Sequence, residues 1–190
     1  MPRVVCLLGS PRAKGCSDLL AARFCDAAES AGATTVRHAL RDLRFQGFTP
    51  PSDSLYASPE DDLDPILADI MEAEVLVLAT PIYFCDMTGL MKQAFDRFHA
   101  FVREDAATGQ MTSNLGRDKT LVFIQVQSAD ERHHCDLISH YAPAFDMFGF
   151  TRVEHLRGCD LHETADLLAA PHLLEAAGLL ATELLRPEYA

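Results

Sequence analysis

A chain of 190 residues with 48% apolar side chains is long enough for one domain that buries roughly 70% of the surface it exposes when unfolded. Its 28 acidic residues against 16 Lys and Arg leave a net charge of −12, which repels a nucleic-acid backbone or an anionic membrane over most of the surface. No apolar run approaches the ~18 residues a spanning helix needs, and Met1-Pro2-Arg3 leads straight into an apolar stretch without a leader pattern, so a single cytoplasmic domain is expected.

The first apolar stretch, Val4 to Leu8, has no alternation and predicts a strand covered on both faces, as in a parallel sheet. It stops at Gly9, and a short polar loop with Ser10, Arg12, Lys14 and Gly15 leads to a helix whose expected cap is Ser17. The first turn of a helix presents N–H groups with no partner and the positive end of its dipole, so a phosphate fits there. Ser10 and Ser17 add hydroxyls, and Arg12 adds a planar fork. The order Lys14-Gly15-Cys16-Ser17 departs from a Walker loop, and Gly9 and Gly15 have the wrong spacing for a dinucleotide fingerprint. A hydroxyl-rich loop with few positive charges suits a monophosphate.

Leu19, Leu20, Ala22, Phe24 and Ala27 recur at helical spacing up to Gly32, and Thr34 to Leu40 predicts a second strand. An irregular acidic stretch from Arg41 to about Asp62 is long for a connection, and it is expected to shape an acceptor site or a subunit contact. Leu63 to Glu72 reads as a helix and Val75 to Ala79 as a third strand, ending in a loop, Thr80 to Asp86, with the exposed aromatics Tyr83 and Phe84. A helix from Met87 to about Val102 is expected to bury Phe95, Phe98 and Phe101, with Lys92 and the Asp96-Arg97 pair at solvent or at an interface. Residues 103–118 read as a mobile excursion.

Thr120 to Val126 predicts a fourth strand, followed by a turn at Gln127 and Ser128, a helix from about Glu131 to Phe148, a short strand from Thr151 to His155 and a helix from Pro171 to Leu185. Five strands alternating with five helices specify a doubly wound α/β fold, a right-handed parallel sheet covered on both faces, and the five strands are expected in the order 2-1-3-4-5. Ligands of such sheets bind beyond the strand C-termini where the order reverses, between the first and third strands, so the Ser10–Ser17 and Pro81–Phe84 segments are expected to meet. A phosphate loop facing Pro81, Ile82, Tyr83 and Phe84 suits a ligand with an anionic tail and a flat apolar head, and flavin mononucleotide (FMN) has that form.

The six cysteines, at 6, 16, 25, 85, 135 and 159, contain no pair separated by two residues, which argues against zinc or an iron–sulfur cluster and for free thiols. His133 and His134 are adjacent and diverge too much to chelate one ion. Asp86 beside Cys85 disfavours a thiolate there.

Gly9-Ser10-Pro11-Arg12 with Gly15-Cys16-Ser17, and Thr80-Pro81-Ile82-Tyr83-Phe84 with Lys92 and Asp96-Arg97, together resemble the NAD(P)H-dependent FMN reductase family over nearly the whole chain. The resemblance implies a flavodoxin-like fold, FMN as cofactor, NAD(P)H as co-substrate, a small-molecule electron acceptor such as a quinone or free flavin, and a homodimer or homotetramer. By matching positions it implies that Ser10, Arg12, Gly15, Cys16 and Ser17 hold the phosphate, that Pro81, Ile82, Tyr83 and Phe84 line the flavin ring, and that Gln127 and Ser128 approach its other side. An electron carrier of the same fold without nicotinamide turnover is the alternative. Cys16 stands where the family most often has Asn, so one amide donor is lost. The compact cysteine motif of the related iron–sulfur flavoproteins is missing between Phe45 and Asp62, so no cluster is expected.

Overall fold

The computed structural model describes residues 1–49, 60–116 and 118–186. In chain order the elements are β1 (Arg3–Leu8), α1 (Cys16–Ser30), β2 (Thr34–Ala39), α2 (Asp64–Glu72), β3 (Val75–Tyr83), β4 (Asp86–Met87), α3 (Gly89–Asp96), β5 (Val102–Glu104), β6 (Met111–Ser113), β7 (Lys119–Val126), α4 (Leu137–Phe148), β8 (Phe150–Gly158), α5 (Thr164–Leu168) and α6 (Pro171–Leu184). Short 3-10 helices cover Leu40–Asp42 and Arg97–Phe101.

The long strands pair in parallel in the order β2-β1-β3-β7-β8, the expected 2-1-3-4-5 arrangement, and the sheet departs from the expected five strands in that the short β4 adds a sixth, antiparallel to β3. Successive side chains of a strand point to opposite faces, and here both faces are covered. Val5, Leu7, Leu76, Leu78, Leu121 and Phe123 pack on α2, α3 and α4 in a core rich in phenylalanine, including Phe95, Phe98, Phe145 and Phe148. Val4, Cys6, Val77, Ala79, Val122 and Ile124 face α1 and α6, where Ala21, Ala28, Ala177 and Ala181 keep side chains small. Two-sided burial is the physical reason these strands read as unbroken apolar runs.

Register carries the chain to the site. Leu8 pairs with Ala79, Ala79 with Ile124 and Ile124 with Leu156, so β1, β3, β7 and β8 release their following segments at one edge. The close approach of α3 to that edge depends on Gly9, where a Cβ would lie 2.8 Å from the Cβ of Met91. Thr88 joins the two, donating to the Gly9 carbonyl at 2.6 Å and accepting the Met91 N–H at 3.2 Å.

Several boundaries differ from expectation. Met87 belongs to β4, paired with Ile82, so α3 starts at Gly89 behind its Thr88 cap and gives way to the 3-10 helix at Arg97. Residues 103–116 hold a hairpin, β5–β6, whose turn is set by Asp105 accepting from the N–H groups of Ala107 and Thr108. Helix α4 starts at Leu137, because the preceding carbonyls of Asp130 and His133 accept from the Gln127 side chain instead. The last strand runs nine residues, and α5 is an additional short helix.

Arg97 departs furthest from its expected place at solvent or an interface. Its side chain is 0% exposed and binds Asp61 at 2.7 Å, Asp64 at 3.0 Å and the Gln46 carbonyl at 3.1 Å. Burial works to raise the Asp61 carboxyl, and the bonds from Arg97 and from the Gln46 and Leu63 N–H groups outweigh it, leaving Asp61 below the usual range. A guanidinium taken out of water needs such partners, and they pin both flanks of the acidic stretch. Residues 50–59 of that stretch, and with them most of its expected role at an acceptor site or subunit contact, lie outside the described residues. Lys92 pairs with Asp96 at 2.5 Å on the half-exposed face of α3.

Candidate functional site

The loop after β1 is folded by its own side chains. Ser10 Oγ donates to the Arg12 carbonyl at 2.9 Å and accepts the Arg12 N–H at 3.1 Å, while the Gly9 N–H reaches the Ala79 carbonyl at 2.8 Å. Gly15, not Ser17, is the N-cap of α1, and no side chain caps it, so the first-turn N–H groups open towards the loop. Ser17 is the second helical residue, nearly fully buried. Arg12 is exposed and makes no salt bridge among the described residues.

Asp18 would oppose an anion here, and two contacts offset it. Its Oδ2 accepts the Lys14 N–H at 3.0 Å and pairs with Arg41 at 3.0 Å, and Arg41 also donates to the Ser10 carbonyl at 3.2 Å. Desolvation raises the Asp18 carboxyl, and Arg41 and the Lys14 N–H partly restore its charge.

Beyond the sheet edge, β3 turns back through Phe84 and Cys85 into β4, with Tyr83 paired to Asp86. Both turn residues have positive φ, +49° and +73°, the geometry of a two-residue hairpin that normally takes Asn and Gly. That turn sends Phe84 outward, 100% exposed and outside the cavity lining that Pro81, Ile82 and Tyr83 share. Asp86 anchors the hairpin, accepting from the Met87 N–H at 2.7 Å and the Tyr141 hydroxyl at 2.6 Å. Burial, reinforced by Asp86, raises the Tyr141 phenol well above its ordinary value, so it stays a donor.

One cavity of about 280 Å³ joins these segments. Ser10, Arg12, Gly15, Cys16 and Ser17 line one side and Pro81, Ile82 and Tyr83 another, with Val126, Gln127 and Ser128 at the end of β7. Gln127 lies there, yet its amide is engaged inward: its Nε2 donates to the Asp130 and His133 carbonyls at 2.7 and 2.9 Å, and its Oε1 accepts from Gln125 at 2.6 Å. Behind it, His155 Nε2 meets Gln125 Oε1 at 3.0 Å, and desolvation, then Arg157, pushes His155 down to about 4, so the neutral ring donates.

The sequence reading missed the fourth wall, Leu161 and His162, from the segment after β8. The signal was faint: Glu163 and Asp166 form a capping box for α5, the one local pattern in a stretch without an anion motif. Cys16 Sγ donates to the Glu163 carbonyl at 3.3 Å, and burial raises its thiol, so it acts as a weak donor and not as a nucleophile.

Among the described residues no group of three or more His, Cys, Asp or Glu could hold a metal ion. All six cysteines are free, and His133 Nδ1 faces Asp130 at 2.9 Å. No helix of the described residues is long and apolar enough to cross a membrane.

An uncapped helix start with a free Arg, two buried serines and an apolar shelf, at the reversal point of a flavodoxin-like sheet, is the outline of a flavin-nucleotide oxidoreductase. The sequence profile described as NADPH-dependent FMN reductase matches residues 2–155, and the chain belongs to that family. No curated protein sequence matches it. Among solved structures it is similar to an FMN-dependent NADH-azoreductase from Bacillus anthracis in complex with FMN, at 12% identity and a TM-score of 0.75, covering 98% of this chain and 100% of that one. It is also similar to an NAD(P)H:quinone oxidoreductase from Methanothermobacter marburgensis, at 16% identity and a TM-score of 0.72, covering 97% and 98%. At these identities the two structures bear on the fold.

Proposed function

We propose that this cavity holds FMN in an enzyme that takes a hydride from NAD(P)H and reduces a small-molecule acceptor such as a quinone, a free flavin or an azo compound. The observation that carries the reading is the open N-cap of α1 beside Arg12, facing Pro81, Ile82 and Tyr83 across one cavity. Donors suited to a phosphate and a shelf suited to a flat ring stand together, so the residues fit the group.

When bound, the flavin supplies the hydride acceptor and donor, and no side-chain acid or base is obligatory. The chain's own residues bind and orient. Gly15, Cys16 and Ser17 offer first-turn N–H groups and Arg12 a charged fork to the phosphate, while Arg41 holds the charge of Asp18 in check. Pro81, Ile82 and Tyr83 exclude water from one ring face, and Asp86 with Tyr141 keeps their hairpin rigid. Gln127 and Ser128 border the other side. The reading further assigns one flavodoxin-like domain to the chain, a homodimer or homotetramer, a cytoplasmic setting, and no part for nucleic acid or membrane.

The test is direct. Purified protein titrated with FMN should show saturable quenching of flavin fluorescence, and NADPH or NADH should then bleach the visible flavin band within seconds, with turnover on adding a quinone. Protein that never takes up FMN overturns the proposal.

A further inference from the structure

We infer that His162, on the segment joining β8 to α5, is a second cationic contact for the cofactor phosphate, one whose strength depends on protonation. The inference rests on the reading of the cavity as an FMN site and concerns a segment outside the family match, which ends at residue 155.

The segment is built against the phosphate loop. Cys16 Sγ donates to the Glu163 carbonyl at 3.3 Å and Thr164 Oγ1 to the Lys14 carbonyl at 3.5 Å, while the Asp160 and Leu161 N–H groups reach the Ala129 and Gln127 carbonyls at 3.0 and 3.1 Å. These bonds hold Leu161 and His162 on the cavity wall beside Arg12 and Ser17. The His162 N–H is engaged by Asp166 Oδ2 at 2.8 Å, and its imidazole, which interacts electrostatically with Asp166, makes no hydrogen bond among the described residues, at a residue that lines the cavity. The Cys16 thiol is turned to Glu163, and the same contact brings the segment that carries His162 against the β1–α1 loop.

The charged and titratable groups around His162 are Arg12, Lys14, Cys16 and Asp18 from the β1–α1 loop and α1, Tyr83 from β3, and Asp160, Glu163 and Asp166 on its own segment. The backbone N–H groups of Glu163 and His162 hold the Asp166 carboxyl below the usual range, so it remains an anion throughout the window in which histidine titrates. An imidazolium strengthens phosphate binding at low pH, and the neutral ring does not.

The experiment titrates flavin-free wild-type protein and His162→Gln with FMN and with riboflavin, which lacks the phosphate, at pH 5.5 and 8.5, following flavin fluorescence. The variant should bind FMN about fivefold more weakly than wild type at pH 5.5 and about equally at pH 8.5, the size expected for a solvent-exposed ion pair. Riboflavin should bind both proteins alike at both pH values. The second ionisation of free FMN, near pH 6, is common to both titrations. A variant-to-wild-type ratio that is the same at both pH values, or that changes as much for riboflavin as for FMN, overturns the role of His162 and leaves the FMN site standing. Wild-type protein that binds neither flavin at either pH overturns both.

Discussion

Arg41 stands 3.0 Å from the Asp18 carboxylate beneath the β1–α1 loop, bringing a cation from just after β2 to neutralise the one acid in the first turn of α1. Both side chains are largely buried, at 18% and 8% exposure, so neither charge is well served by water. Under the proposed function, the pair should link fold stability to anion affinity.

Arg41→Gln should lower stability by about 1–3 kcal/mol, below the range for a fully buried pair, and weaken FMN binding, because Asp18 then meets the phosphate uncompensated. The double variant Arg41→Gln/Asp18→Asn should regain most of the lost affinity. Urea unfolding and FMN titration of wild type, Arg41→Gln, Asp18→Asn and the double variant close the cycle. A double variant as weak as the single would show that Arg41 acts by some route other than Asp18.

Cys16→Asn restores an amide donor at the helix start while keeping an N–H able to reach the Glu163 carbonyl. FMN affinity should rise by about threefold, the worth of one modest hydrogen bond. Fluorescence titration decides this, and an unchanged or weaker affinity counts against an effect of the thiol on cofactor retention.

Cys85 holds a φ of +73° at the exposed tip of the β3–β4 hairpin, where glycine has no steric penalty. Cys85→Gly should raise stability by about 0.5–1 kcal/mol and Cys85→Val should lower it, seen as opposite shifts of the urea midpoint. Equal midpoints would mean that the turn is not held in the left-handed region.

His155 gives a pH signature. Its folded pKa of about 4 lies below the ordinary value of 6.5, so between those values the unfolded chain binds the proton and the folded chain does not. Stability from this group is therefore present above about pH 6.5 and declines as pH falls towards 4, by about 1–2 kcal/mol once solvent screening of a partly exposed ring is allowed for. Asp61, held below its usual range, loses stability in the same direction at lower pH. His155→Gln should consequently show a shallower fall between pH 7.5 and 4.5 in urea unfolding than wild type, and parallel profiles would remove His155 as the cause.

Much of the site was legible because its parts are local. The run Val4 to Leu8 ending at Gly9, and Val75 to Ala79 ending before Pro81, carry their burial in their composition, and two parallel strands that end in register bring their loops together. Even so, the cap moved from Ser17 to Gly15, since the Lys14 N–H is held by Asp18 and the turn closes one residue pair earlier. Phe84 faces outward because hairpin geometry, and not the apolar character of the side chain, sets its direction.

What the amino-acid order specified unaided is the alternation of two-sided strands and amphipathic helices, hence a parallel sheet covered on both faces, and the two loops that end its first and third strands. Folding in three dimensions supplied the burial of Arg97 between Asp61 and Asp64, the bracing of Asp18 by Arg41, and the arrival of His162 beside Cys16. The physical reason is range. Periodicity and turn chemistry act between near neighbours, whereas the contact from Cys16 to Glu163 spans 147 residues and exists only after β8 and α1 have packed on the same sheet.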